Sequence, residues 1–164
     1  MLKWIGRLLI AGLILAGAAA AADRQFAWLR GWDGHGRSFD LTSLRGQVVI
    51  LTFASKNTRD EASDINDELT RHAVAGDVTV VSVIDLEDIP GFGYKTARKK
   101  IADADQPGII HHLVDERGAL RRSFRVDPLH EVPIFVIGRD GAVLGQFSGE
   151  EGLPQALALV ERVK

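Results

Sequence analysis

Apolar runs broken by polar turns divide the chain into alternating strand and helix patterns. Residues 48–53 (VVILTF) are continuously apolar and rich in β-branched side chains, the signature of a strand covered on both faces. Ala62, Ile65, Leu69 and Ala73 recur at helical spacing before a stop signal at Gly76, which predicts an amphipathic helix over 60–74. Residues 78–84 return to a strand pattern. Strand, helix and strand in that order make a βαβ unit, with parallel pairing and a right-handed crossover.

Downstream, the pattern predicts a helix over 95–104, a break at Pro107-Gly108, a strand over 109–114 and a short helix over 119–124. Strands over 134–137 and 143–147 flank Arg139-Asp140-Gly141, a strong hairpin signal. Leu153, Leu157, Val160 and Val163 then give a terminal amphipathic helix, with Pro154 expected in its first turn. Upstream, a strand is expected over 26–29, with Gly34, Gly36 and Ser38 marking a turn before Phe39 and Leu41. These elements predict one α/β domain over 23–164, a mixed central sheet with helices on both faces.

Residues 1–22 stand apart. Lys3 and Arg7 precede a short apolar stretch over 8–16, then small residues over 18–22 and the polar Asp23, the order expected of a cleaved signal peptide. An uncleaved membrane anchor is the alternative, although the strongly apolar part is shorter than the ~20 residues that comfortably span a bilayer. The expected location is periplasmic, with membrane contact only through a retained leader. Loss of the leader moves the formal charge from −2 to −4, and a mildly acidic exported domain is not expected to bind nucleic acid.

The chain contains no cysteine, which excludes thiol–disulfide chemistry, because no other side chain cycles between thiol and disulfide. Five histidines lack the spacing of a zinc site, and His111 and His112, adjacent on a predicted strand, point to opposite faces. No metal site and no cofactor are expected. Ligand-binding groups in such sheets gather at the carboxyl edge of the parallel strands, here residues 54–58 and 85–90. The loop Ile89-Pro90-Gly91-Phe92-Gly93-Tyr94 has two readings. It is either a plain connection that buries Phe92, or a binding loop in which glycines permit unusual backbone angles and Gly93 leaves free amides ahead of a helix. Residues 95–125 hold eight basic residues against four acidic ones, and Arg121, Arg122 and Arg125 either face water or meet an acidic partner or phospholipid head groups.

The succession FDLTSLRGQVVILTF, VTVVSVI and EVPIFVIGRDGAV resembles the thioredoxin-like redoxins, the superfamily of peroxiredoxin-type and TlpA-type proteins, over about 39–164. Residues 88–93, the basic helix after them and LVDERGAL over 113–120 further resemble the small exported YtfJ-like family, whose members also lack the thiol pair. The resemblance implies a three-layer thioredoxin-like sandwich and a cis peptide at Pro133, facing the active-site turn. It also puts Thr58 and Glu61 where the two thiols would fall.

Thr58-x-x-Glu61 equally reads as a capping box, a helix start worth about 1 kcal/mol. The alternative, Thr58 as a nucleophile, requires an adjacent base. His130, beside Glu131 and Pro133, is placed by the resemblance within reach of Asn57 or Thr58. The expected function is an envelope binding or accessory module. It would contact an envelope protein or small ligand through Ser55, Asn57, Thr58, Asp88, Pro90, Gly91, Phe92, Gly93, Tyr94, His130 and Pro133. The alternative is a redoxin-like enzyme working without thiols, with Thr58, Glu61 and His130 as its weak catalytic candidates.

Overall fold

The apolar run predicted over 48–53 lies at the middle of the molecule as strand β3 (Val48–Ala54), with every residue buried. The computed structural model describes residues 30–73, 78–106, 108–126 and 129–164. The leader and the strand expected over 26–29 fall outside the described residues, as do Gly76 and Pro107. Around β3 stand β1 (Arg30–Asp33), β2 (Ser38–Asp40), β4 (Val78–Asp85), β5 (Ile110–Asp115), β6 (Pro133–Ile137) and β7 (Val143–Ser148). They form one sheet in the order β2-β1-β5-β4-β3-β6-β7.

Strands β3, β4 and β5 are parallel, whereas β1, β2, β6 and β7 join antiparallel. The register pairs Ala54 with Ile84 and Asp85 with Asp115, so the three parallel strands end at one edge. Helices α1 (Arg59–Ala73), α2 (Gly91–Ala104), α3 (Ala119–Ser123) and α4 (Gly149–Val163) connect and cover them.

Alternation along the strands sorts the core into two layers. Val48, Ile50 and Val80 face Ile65 and Leu69 of α1 and Ala156 and Val160 of α4. Val49, Leu51, Phe53 and Phe135 face Leu41, Leu44 and Phe124 on the other side. There Phe53, Phe124 and Phe135 pack at tilted or edge-on angles, with ring centroids 5.1–6.0 Å apart. The Asp140-Gly141 turn closes as a hairpin, with Gly141 at φ 86° and Gly138 N donating to Ala142 O at 2.8 Å.

Two boundaries depart from the periodicity. Helix α2 begins at Gly91 rather than near Lys95, because Ile89 and Tyr94 pack against Leu86, Ile101 and Val114 and draw the glycine-containing turn into the helix. Pro154 lies in the second turn of α4, since the helix starts at Gly149, upstream of its apolar stripe. One intrahelical donor is therefore missing there.

A polar ladder crosses the apolar layer beneath α1. Thr52 Oγ1 donates to Asn66 Oδ1 at 3.1 Å, and Asn66 Nδ2 donates to Ser82 Oγ at 2.9 Å, with both hydroxyl residues fully buried. Asn66→Ala leaves both strand hydroxyls without their partner and is expected to cost about 1–3 kcal/mol. A denaturant midpoint unchanged by this substitution would remove the ladder from the account of stability.

Candidate functional site

The chain leaves β3 at Ala54 and reverses into α1 through a turn closed by its own hydroxyls. Thr58 Oγ1 accepts from Ser55 N at 2.9 Å, and Ser55 Oγ accepts from Asn57 N at 3.2 Å. Ala62 N donates to Thr58 O at 2.9 Å, which starts the helix. Thr58 is buried and Asn57 exposed.

The capping box expected of Thr58 and Glu61 does not form. Thr58 turns its oxygen back to Ser55, and Glu61 reaches across the chain, where Oε2 accepts from Val132 N at 3.1 Å. A tertiary donor has displaced the local one. Val132 O in turn accepts from Gly149 N at 2.9 Å, so one carboxylate and the backbone of one residue join the starts of α1, β6 and α4. Gly149 sits at φ 63°, and a Cβ there would stand 3.1 Å from Glu61 Oε1. Burial pushes the Glu61 carboxyl above its ordinary range; the Val132 amide opposes this, and the charges of Glu131 and Glu150 add to it.

Pro133 is buried at the start of β6, paired with Ser148 of β7. His130 is exposed on the groove formed by Arg125, Glu131, Pro133, Gln146 and Ser148. It makes no hydrogen bond to Asn57 or Thr58, and shares that groove with Gln146 and Ser148 of β7. The hydrogen-bond partner of the Thr58 hydroxyl is Ser55, not a basic side chain. Arg125, also on the groove, is the one described non-glycine residue in the left-handed region, at φ 57°.

The second stretch at this edge behaves differently from the loop reading. Gly91 to Tyr94 form the first turn of α2, capped only by the backbone of Pro90, whose carbonyl accepts from Gly93 N at 2.8 Å. Neither Gly91 nor Gly93 has a positive φ. Phe92 is not buried but 92% exposed, while the Tyr94 hydroxyl donates to Glu116. Asp88 and Pro90 are exposed. The structure therefore brings Ser55, Asn57, Thr58, Glu61, Val132 and Pro133 into one connected site. Asp88 to Tyr94 form a separate patch on the same edge.

Pattern reading missed the charged network between these patches. Parallel register sets Asp85 beside Asp115, both buried. Asp115 accepts from Ala119 N at 2.8 Å and Arg121 N at 3.0 Å, holding the start of α3. Arg121 Nε lies 2.8 Å from Asp85 Oδ2, and its Nη2 is 2.5 Å from Glu87 Oε2, which Arg122 also meets at 3.1 Å. Arg121 and Arg122 are thus bound within the molecule, not presented together to a partner. The signal available was an aspartate closing each of two adjacent predicted strands.

His112 was equally hidden. It is buried beside Asp105, whose Oδ1 accepts from His112 N at 2.9 Å and lies 3.9 Å from its Nδ1. Burial holds its pKa below the ordinary imidazole value, against the pull of Asp105. His111 points the other way and packs on Phe39, ring centroids 4.8 Å apart, as strand alternation requires. No group of three metal-binding side chains converges among the described residues.

No known family profile matches the chain, and no curated protein matches it by sequence. Solved structures do match. The exposed lipoprotein thioredoxin Etrx1 of Streptococcus pneumoniae is 18% identical with a TM-score of 0.62, covering 82% of this chain and 98% of its own. A secreted disulfide oxidoreductase of Mycobacterium tuberculosis, homologous to Escherichia coli DsbE, is 19% identical with a TM-score of 0.59, covering 87% and 98%. Peroxiredoxin Q of Xanthomonas campestris is 19% identical with a TM-score of 0.56, covering 89% and 93%. The fold is thioredoxin-like. No described helix is long and apolar enough to cross a membrane.

Thr58→Val removes a buried acceptor from Ser55 N and is expected to destabilise by about 1–3 kcal/mol, whereas Thr58→Ser retains most of that stability. Equal denaturation midpoints for the two variants would contradict the turn geometry. A second expectation concerns pH. Because the folded-state pKa of His112 is depressed, the unfolded chain takes up a proton first as pH falls below the ordinary value of 6.5, and stability drops with it. His112→Leu should flatten this decline between pH 7.5 and the acid limb. Parallel stability profiles for the two proteins would show that this imidazole does not contribute.

Proposed function

We propose that the protein is an exported, cysteine-less thioredoxin-like binding or accessory module of the cell envelope. In this reading the leader is a cleaved signal peptide, the location is periplasmic and the chain resembles the YtfJ-like proteins, with Pro133 in the cis form. The secreted and lipoprotein neighbours support an extracytoplasmic location. The observation that carries the reading is the bond from Val132 N to Glu61 Oε2. It occupies, with a fixed carboxylate, the position where the redoxin resemblance places a thiol. The edge keeps its shape without a sulfur nucleophile.

Catalysis without thiols is the weaker reading. Thr58 is buried with its oxygen engaged by Ser55, Glu61 is committed to a backbone amide, and His130 makes no hydrogen bond to either. Exposed Asn57 and His130, with the groove beside Pro133, are better suited to contact than to proton transfer.

Crosslinking and pulldown from the envelope fraction tests this. Capture of a specific protein by wild type and by Thr58→Ala, with loss on His130→Asp or Asn57→Arg, is the expected result. Disulfide-reductase and peroxidase assays should stay at background throughout. Turnover that survives purification and disappears in Thr58→Ala would overturn the module in favour of an enzyme.

A further inference from the structure

Helix α2 has an outer face that the core does not use. Ile101 is buried, and Ala97 and Tyr94 pack toward Leu86 and Val114. The opposite stripe carries Phe92, Lys95, Thr96, Lys99 and Lys100, all exposed and spaced i, i+3, i+4, i+7 and i+8. Phe92 is the most exposed large apolar side chain described, well above Trp32 at 54% and Leu144 at 43%. Lys99 makes an exposed pair with Asp103 at 2.6 Å, a contact of small worth. Lys95 and Lys100 have no ion-pair partner among the described residues.

The glycines beside Phe92 add a second observation. Gly91 and Gly93 lie in the first turn of α2, on either side of the ring. At Gly91 neither backbone nor packing requires a glycine, since its φ is not positive and an added Cβ would meet nothing within 4 Å. Gly93 would touch only Ile89, at an ordinary 3.4 Å. What the pair does achieve is to strip the backbone on both sides of the ring.

Beside the stripe, the β1–β2 turn presses directly on α2. A Cβ at Gly34 would stand 2.4 Å from Ala102 N. The contact leaves an open groove lined by His35, Tyr94, Lys95, Arg98, Lys99 and Asp103, in which three cationic side chains face one carboxylate, with Lys99 paired to Asp103 and Arg98 to Glu116.

We propose that this face of α2 docks on an anionic phospholipid surface, with Phe92 inserted at the level of the head groups and Lys95, Lys99 and Lys100 against lipid phosphates. Charge complementarity selects the partner, because the chain as a whole is mildly acidic while this stripe carries three lysines. The position of the ring selects a fluid surface over an acidic protein. A side chain projecting alone from the start of a helix needs a preformed pocket in a rigid partner, whereas lipid closes around it.

Flotation of the full chain with vesicles of phosphatidylglycerol and phosphatidylethanolamine, against pure phosphatidylcholine, tests the proposal. Every variant carries the same N-terminus, so differences between variants on one vesicle type report on α2 alone. Preferential binding to the anionic vesicles is expected, weakening with salt. Each lysine lost should reduce partitioning about five-fold, the equivalent of roughly 1 kcal/mol per cation near a charged surface. Lys95→Gln/Lys100→Gln should therefore lose about 25-fold, Phe92→Ala should lose several-fold, and Leu144→Ala should bind as wild type. These sites are exposed, so thermal midpoints should match wild type. Equal binding to both vesicle types, or variants indistinguishable from wild type, would overturn the proposal, as would capture of an acidic protein through Phe92 with no lipid partitioning. None of these outcomes bears on whether His130 and Asn57 contact a partner.

Discussion

Burial of β3 on both faces, with β4 and β6 paired along its sides, is the constraint from which the rest of the molecule follows. A strand with no solvent-facing side cannot carry polar groups along its length, apart from Thr52, whose hydroxyl is answered by Asn66. Polar chemistry is displaced to the strand ends. Parallel pairing with β4, and of β4 with β5, then sends the ends of all three strands to one edge. The turn after Ala54, the Asp85–Asp115 network and the start of α2 share that edge because of register.

At that edge the polar side chains are held in fixed contacts. A thiol pair must remain exposed enough to react and free enough to change partners. Thr58 and Glu61 meet neither condition: one is buried and bonded to Ser55, the other ties Val132 and lies against Gly149. Burial and the charges of Glu131 and Glu150 push the Glu61 carboxyl above its ordinary range, a cost to its charged form. That cost is tolerated where a carboxylate anchors a backbone amide between elements, since it fixes the loop before β6 against α1 and α4. The same geometry leaves Asn57, His130 and the groove beside Pro133 as the accessible part of the site.

Two regions of high charge density meet different fates for a related reason. Arg121 and Arg122 fall opposite carboxylates that strand register has already gathered, and they become internal structure. Lys95, Lys99 and Lys100 lie on the outer face of α2, away from the carboxylates of β4 and β5, and they stay exposed with Phe92. Sequence charge counts treat the two groups alike.

Much of the architecture was legible from the chain alone, because hydrophobic periodicity is a local property and this core is two apolar layers on one sheet. The strands from β3 onward, helix α1, the Asp140-Gly141 hairpin, the opposed faces of His111 and His112 and the exclusion of thiol chemistry all follow from residue type and spacing. The partners of polar side chains do not. Glu61 finds Val132 71 positions away, and Arg122 finds Glu87 at a distance of 35, because a carboxylate takes whichever donor the packed elements bring nearest. The start of α2 and the exposure of Phe92 were decided in the same way, by Ile89 and Tyr94 docking on β5 and pulling the turn between them into helix. Periodicity identifies what is buried; only the assembled layers determine which polar groups meet once it is.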